Sequence, residues 1–138
     1  MAKYFSFREL IESETAKYYG QYNVPNSLEI YRNLDNLMTK VLDPAREKLG
    51  QPIIVTSGFR TGVVNSLVHG NINSQHMKGE AADIKPQHSW DMLKLWRIIT
   101  EELPEFDQAI YYVKRGFIHV SIKRGVGNRR EILYNHEP

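Results

Sequence analysis

An imidazole and a carboxylate, His76 and Asp83, lie seven positions apart in the polar stretch 73–84. Gly79 lies between them and lets the backbone turn, and the two alanines that follow allow close packing of a strand. Histidine and aspartate are both ligands of zinc in proteins, so one ion could be held from the two ends of this loop. Two possible ligands are not yet a site. The same residues also fit a surface loop that enters a buried strand, with Asp83 hydrogen-bonded to a neighbour.

The stretch fits the pattern Ser-x-His-x-x-Gly-x-Ala-x-Asp, and a second motif, Phe-Ile-His-Val-Ser, follows at residues 117–121. With these motifs the sequence resembles the zinc D-alanyl-D-alanine metallopeptidases of the bacterial cell wall, especially the short forms found in phages and prophage regions. The resemblance extends to residues 41–47, 56–60 and 128–130. It therefore covers most of the chain.

The resemblance implies a set of site residues. It implies that His76, Asp83 and His119 hold one zinc ion, and that Arg60 orients the substrate and offsets developing negative charge. Residues on the loop around His76 are implied to contact the peptide, namely Ser74 and Gln75. The implied reaction is hydrolysis of peptide bonds next to D-alanine in peptidoglycan stem peptides, by a carboxypeptidase or an endopeptidase that lyses or remodels the wall.

One feature departs from the family pattern. Relatives carry an acidic general base three residues before the second histidine or on the preceding strand, and here those places hold Gly116 and Tyr112. We take Tyr112 as the catalytic candidate because a phenol can donate a hydrogen bond to an oxyanion. An alternative function is a weak or inactive zinc-stabilised module that binds the cell wall, the main role of the related hedgehog domain being binding. Other candidates for the missing base are Tyr111, Glu80 and Asp107.

The elements that must position these residues are short strands. Residues 52–56 are apolar and β-branched, which predicts an inner strand with Arg60 just beyond its end, where a structural salt bridge is the other interpretation. Residues 107–113 and 117–122 flank a short turn with a glycine, which predicts an antiparallel hairpin. The side-chain period of two then directs His119 away from the apolar face of its strand.

The same period of two directs Ala81 and Asp83 to one face of the strand after Gly79. If that strand and the strand of His119 are neighbours, the two ligands share a face and His76 lies on the loop above them. Such a three-ligand site leaves one coordination position open, as a catalytic zinc requires.

Two amphipathic stretches predict the helices that support this sheet. Apolar residues recur at helical spacing through 28–42, with Pro44 and Gly50 interrupting and ending the run, and again through 90–103 before Pro104. We therefore expect an α+β fold, with helices on one face of a small, mainly antiparallel sheet and the zinc cleft on the other. The resemblance implies the same fold, shared with the hedgehog signalling domain. We expect five aromatic side chains to pack over or within the core: Tyr18, Tyr19, Tyr22, Trp90 and Trp96.

Composition limits the remaining possibilities. The 138 residues are 41% hydrophobic and 11% aromatic, which predicts a single domain over 1–138. The resemblance implies that this domain is zinc peptidase-like. There are no cysteines, so disulfides and a thiolate zinc site are excluded. A net charge of +2 is too small to argue for nucleic acid as a partner. Three further histidines have no ligand-like spacing and are not expected to bind the metal: His69, His88 and His136.

No apolar run is long enough to cross a membrane, and the first residues lack the apolar core of a signal peptide. We therefore expect synthesis in the cytoplasm without an export signal, no membrane partner, and a monomer. The resemblance implies that the partner is the peptidoglycan stem peptide and that the site of action is the bacterial cell wall or periplasm.

Overall fold

Five strands form one sheet in the order β1-β2-β4-β3-β5 in the computed structural model, which describes residues 2–138. Neighbouring strands are antiparallel except β3 and β5, which run parallel. The expected α+β architecture with a mainly antiparallel sheet is confirmed. The strands are β1 Ile53–Ser57, β2 Ala81–Pro86, β3 Gln108–Tyr112, β4 Phe117–Ser121 and β5 Glu131–Asn135.

The helices are short except for one long run formed by α3, a π-helical turn at Met38–Leu42 and α4. Pro44 lies in the first turn of α4, where a missing backbone donor is tolerated. Gly50 then ends the run in a left-handed conformation with φ 71°. Within residues 2–138, no helix is both long and apolar enough to cross a membrane. The helices are α1 Phe7–Ile11, α2 Glu14–Tyr18, α3 Leu28–Leu37, α4 Asp43–Leu49, α5 Gly62–Leu67 and α6 Met92–Arg97.

The core lies between the long helical run and one face of the sheet. Ala82 and Ile84 of β2 and Ile118 and Val120 of β4 are fully buried on that face, as the period of two predicted. Because successive side chains of a strand point to opposite faces, Asp83 and His119 lie on the other face of the sheet. The helical side chains of the same core cluster include Leu34, Leu37, Met38, Val41, Leu42, Leu95 and Ile99.

The second amphipathic stretch begins later than the sequence predicted. Trp96 is buried in α6, and its Nε1 donates to the hydroxyl of Tyr134 at 3.0 Å. Trp90 instead lies in the 3-10 turn Ser89–Asp91 and is 77% exposed, stacked on His88 with ring centroids 4.5 Å apart. The prediction that Trp90 packs in the core was wrong, because its turn precedes the helix whose face is buried.

The tyrosines near the N-terminus do not cover the core either. Tyr18 is 83%, Tyr19 52% and Tyr22 90% exposed. The short helix α2 buries one side through Ala16, and the preceding α1 contributes Leu10. Two small anchors are enough to attach this segment, so the aromatic rings remain in solvent.

Candidate metal centre and cleft

Asp83 and His119 lie directly opposite each other on the neighbouring strands β2 and β4. Directly paired residues of an antiparallel sheet point to the same face, so their side chains meet on the face away from the core. Nδ1 of His119 lies 3.0 Å from Oδ1 of Asp83. Strand pairing thus brings together two residues that are 36 positions apart in the chain.

His76 reaches the pair from the short 3-10 turn Gln75–Lys78. Ser74 begins this turn, and its hydroxyl accepts a hydrogen bond from the backbone N–H of His76 at 3.2 Å. Gly79 ends it with φ 75°. A Cβ added to Gly79 would lie 2.8 Å from the carbonyl oxygen of Ile30, so only glycine allows the turn to lie this close to α3.

The ring of His76 is oriented by the backbone. Its Nδ1 lies 2.7 Å from the carbonyl oxygen of Gly58, which fixes Nδ1 as the donor. In the neutral ring Nε2 carries the lone pair, and this atom lies 3.3 Å from Oδ1 of Asp83. A hydrogen bond from the second ring nitrogen to a carbonyl is a recurrent way of orienting metal-binding histidines. Sequence reasoning missed this role of Gly58, since nothing in the local pattern indicates which carbonyl approaches the ring.

One atom from each of His76, Asp83 and His119 lies within 4.8 Å of the other two, and together these residues could hold a metal ion. Two imidazoles and one carboxylate are a donor set that zinc accepts, so the residues fit the ion that the sequence implied. Burial alone would raise the pKa of Asp83, but when the adjacent histidines are protonated, the charge of His76 and the hydrogen bonds from both rings outweigh burial and lower that pKa. The carboxylate is therefore held in the charged form that a metal ligand requires.

The three residues lie in a cleft of about 1030 Å³ that also contains Arg60, Ser74 and Gln75. Arg60 is half-buried, and its Nε is buried without a hydrogen-bond partner among residues 2–138. Burial lowers the pKa of Arg60, and the nearby charge of Asp83 partly opposes that shift. Its backbone N–H donates to the carbonyl of His76 at 3.0 Å, which fixes its position beside the metal group. A desolvated cation without an ion-pair partner favours an anionic ligand.

The register of β3 decides between the two tyrosines. Tyr111 pairs with Ile118 on the core face and packs against Trp96, with ring centroids 5.6 Å apart. Tyr112 pairs with Phe117 and lines the cleft, its ring stacked on Phe117 at 4.3 Å. Burial raises the pKa of the Tyr112 phenol, and the charge of Asp83 raises it further. Tyr112 therefore stays protonated at neutral pH and is placed as a hydrogen-bond donor.

The two candidate carboxylates differ in their surroundings. Asp107 is fully buried and accepts three hydrogen bonds from Arg129, two of them from the side chain, and Lys123 lies 3.7 Å away. This pairing stabilises the ionised form of Asp107, although burial opposes it, and the pKa is lowered. Glu80 also lines the cleft, and its Oε1 accepts a hydrogen bond from Gln75 at 3.3 Å. Glu80 is thus the less constrained of the two carboxylates.

Sequence reasoning also missed one wall of the cleft. Glu12 and Ser13, between α1 and α2, and Glu14 and Thr15, in the first turn of α2, line it. Nothing in the local pattern indicated where this segment would dock. Its position depends on Asn23, a buried side chain whose hydrogen bonds are tertiary and leave no local signal.

A family model described as Peptidase M15 matches residues 3–121 of the chain. The matched region contains the three metal-group residues, Arg60 and Tyr112. No curated protein matches the chain.

Proposed function

We propose that this chain, which belongs to the peptidase M15 family, is a zinc peptidase that cleaves peptide bonds next to D-alanine in peptidoglycan stem peptides. The observation that carries the proposal is the meeting of His76, Asp83 and His119 within 4.8 Å inside a cleft that also holds Arg60. The proposed unit is the single domain 1–138. Its substrate places its site of action at the bacterial cell wall or periplasm.

Zinc held by these residues would act as a Lewis acid toward water and the scissile carbonyl. The chain prepares its ligand atoms for that ion. The hydrogen bond from Nδ1 of His76 to Gly58 makes Nε2 the ring atom that is available to the ion, and the adjacent histidines favour the charged form of Asp83. Neither ligand then needs a large rearrangement to bind a cation, so the site is largely preorganised.

Arg60 supplies the positive charge for the substrate. Its side chain lines the cleft and is half-buried, and its Nε has no hydrogen-bond partner among residues 2–138. A stem peptide that ends in D-alanine presents a carboxylate, which a guanidinium binds with two parallel hydrogen bonds. The same cation would also stabilise negative charge on the carbonyl oxygen as the bond to water forms.

The cleft is also lined by β3 and the start of β4. Tyr112 can donate a hydrogen bond from its protonated phenol, while Ile110 and Phe117 provide an apolar wall that suits the methyl group of alanine. Glu80 is the proposed proton acceptor, because the carboxylate of Asp107 is held by Arg129. Ser74 and Gln75 complete the rim and can contact the peptide backbone.

The proposal is tested with purified, zinc-loaded protein, synthetic stem pentapeptides and cross-linked muropeptide dimers, analysed by mass spectrometry. Loss of a single terminal alanine would identify a carboxypeptidase, and separation of the dimer would identify an endopeptidase. Protein with the substitution His119→Ala serves as the control and should leave both substrates intact. Intact substrates with zinc-loaded wild-type protein would contradict the proposal.

A further inference from the structure

A second depression of about 560 Å³ adjoins the metal cleft. Glu14 and Thr15 line both spaces, so the two adjoin at the start of α2. The depression is also lined by Lys17, Tyr18 and Tyr19. A substrate that fills the metal cleft and extends beyond it toward α2 would therefore reach the two tyrosine rings.

The rings of Tyr18 and Tyr19 form an exposed aromatic pair. Their centroids are 4.9 Å apart and the ring planes are at 79°, an edge-to-face arrangement that leaves ring surface open to solvent. Tyr18 is 83% and Tyr19 52% exposed. Ala16 is the residue through which α2 attaches to the core, so that attachment does not need either tyrosine.

The aromatic pair is fixed relative to the metal cleft by Asn23. Its Nδ2 donates to the carbonyls of Ile11 at 2.6 Å and Phe59 at 2.8 Å, and its Oδ1 accepts from the N–H of Thr61 at 2.9 Å. Phe59 and Thr61 flank Arg60 in the chain. The segment that carries the tyrosines is therefore bound to both neighbours of the proposed substrate-binding arginine.

The border of the depression is polar. Lys17 forms ion pairs with Glu12 at 3.2 Å and with Glu14 at 3.4 Å, and Thr15 adds a hydroxyl. An entirely apolar partner would desolvate these groups without compensating for them. Aromatic faces beside hydroxyl, carboxylate and amine groups instead match a ligand with an apolar ring face and polar edges, which describes a pyranose sugar.

We propose that Tyr18 and Tyr19 bind a sugar of the glycan strand to which the stem peptide is attached. The inference rests on the proposed function for its choice of substrate, because a stem peptide in the cleft brings its own sugar with it. One sugar ring would stack on the face of one tyrosine and contact the other with its edge, while its hydroxyl and acetamide groups hydrogen-bond to Thr15, Glu14 and Lys17. The site would then favour peptides that are still attached to glycan over free peptides.

The first experiment compares two substrates, a free stem pentapeptide and the same peptide attached to its disaccharide. The double variant Tyr18→Ala, Tyr19→Ala should lower kcat/KM for the attached peptide about tenfold, because the sugar loses its contacts with two aromatic rings. The value of kcat/KM for the free peptide should not change. Tyr22→Ala is the matched control, since Tyr22 is 90% exposed and lines neither space. The conservative double variant Tyr18→Phe, Tyr19→Phe keeps the rings and should retain the preference. Equal losses on both substrates, or no loss on the attached one, would overturn the inference.

The second experiment does not depend on catalysis. Glycan chains stripped of peptide are titrated into isotope-labelled protein, and binding is followed by NMR. Wild-type protein should bind, the double alanine variant should bind about tenfold more weakly, and the Tyr22→Ala control should match wild type. If wild-type protein cleaves no peptide yet binds glycan through these rings, the proposed function fails and the inference stands. If wild-type protein does not bind glycan, the inference fails whatever the protein does to peptides.

Discussion

His119 and Asp83 are paired across neighbouring antiparallel strands, and Nδ1 of His119 lies 3.0 Å from Oδ1 of Asp83. A shift of one residue in this register would turn one of the two side chains into the core. The buried residues on either side, Ala82 and Ile84, oppose such a shift because they would be exposed by it. The packing of the core therefore specifies the geometry of the metal group.

Removal of two ligands should empty the metal site. The double variant His76→Ala, His119→Ala leaves one carboxylate, which is too few ligands to retain zinc at micromolar protein concentration. Metal analysis by mass spectrometry should find about one zinc per wild-type chain and almost none in the variant. His69→Ala, His88→Ala is the matched control and should keep its zinc. A full equivalent retained by the ligand variant would rule out this site.

Arg60→Gln should weaken transition-state binding without loss of zinc. The substitution removes a charge-assisted contact, so we expect kcat/KM to fall by about tenfold to a hundredfold. Stem peptides with a free and with an amidated terminal carboxylate separate the two proposed roles. If Arg60 binds the carboxylate, the kcat/KM values of the variant and the wild type should differ less on the amidated peptide than on the peptide with a free carboxylate. Equal loss on both would assign Arg60 to the oxyanion, and no loss on either would exclude both roles.

Glu80→Gln and Tyr112→Phe should affect turnover in different ways. Loss of a proton acceptor should lower kcat by about a hundredfold or more. Loss of the phenol should lower kcat by about tenfold to a hundredfold, because it removes a hydrogen-bond donor that the raised pKa keeps protonated at neutral pH. Tyr111→Phe is the control, since its ring faces the helices. Full turnover in both cleft variants, with zinc bound, would show that the proton acceptor lies elsewhere.

Asp107→Asn should destabilise the fold in a pH-dependent manner. The pKa of Asp107 is lowered, because its hydrogen bonds with Arg129 outweigh the effect of burial, so the ionised form stabilises the folded state. That contribution is present above the unfolded pKa of about 4 and disappears as the pH falls through the folded value. We expect the variant to lose about 2 kcal/mol in the free energy of unfolding at neutral pH. This loss should become smaller in acid.

Urea unfolding at several pH values measures the effect of Asp107→Asn. Glu12→Gln removes an exposed carboxylate paired with Lys17 and should change stability little at any pH. A loss at Asp107 that is equally large in acid and at neutral pH would show that its charge is not what stabilises the fold.

The sequence predicted the sheet from local periodicity, and it predicted the metal group from two motifs that resemble those of the family. Alternation along residues 81–84 and 117–122 assigned Asp83 and His119 to one face, and the glycine at 116 predicted the hairpin. The sequence could not determine which tyrosine faces the cleft, because that depends on the register of β3 against β4. The structure resolves the question by pairing Tyr112 with Phe117.

Other features depend on tertiary contacts that leave no local pattern. The pairing of Asp107 with Arg129 joins residues 22 positions apart, so the sequence left Asp107 as a possible base. The docking of α2 depends on Asn23, and this docking leaves Tyr18 and Tyr19 exposed beside the cleft. The prediction for Trp90 was wrong because the turn that contains Trp90 precedes α6 and does not share its buried face.

Cleavage of a defined substrate is the most direct test of the central claim. Zinc-loaded wild-type protein is incubated with a stem pentapeptide ending in two D-alanines, its diastereomer ending in two L-alanines, and a cross-linked dimer. Mass spectrometry should show cleavage next to D-alanine in the pentapeptide or the dimer, an intact diastereomer, and no reaction with His76→Ala, His119→Ala protein. Intact D-alanine substrates despite one bound zinc, or equal cleavage by the ligand variant, would contradict the account.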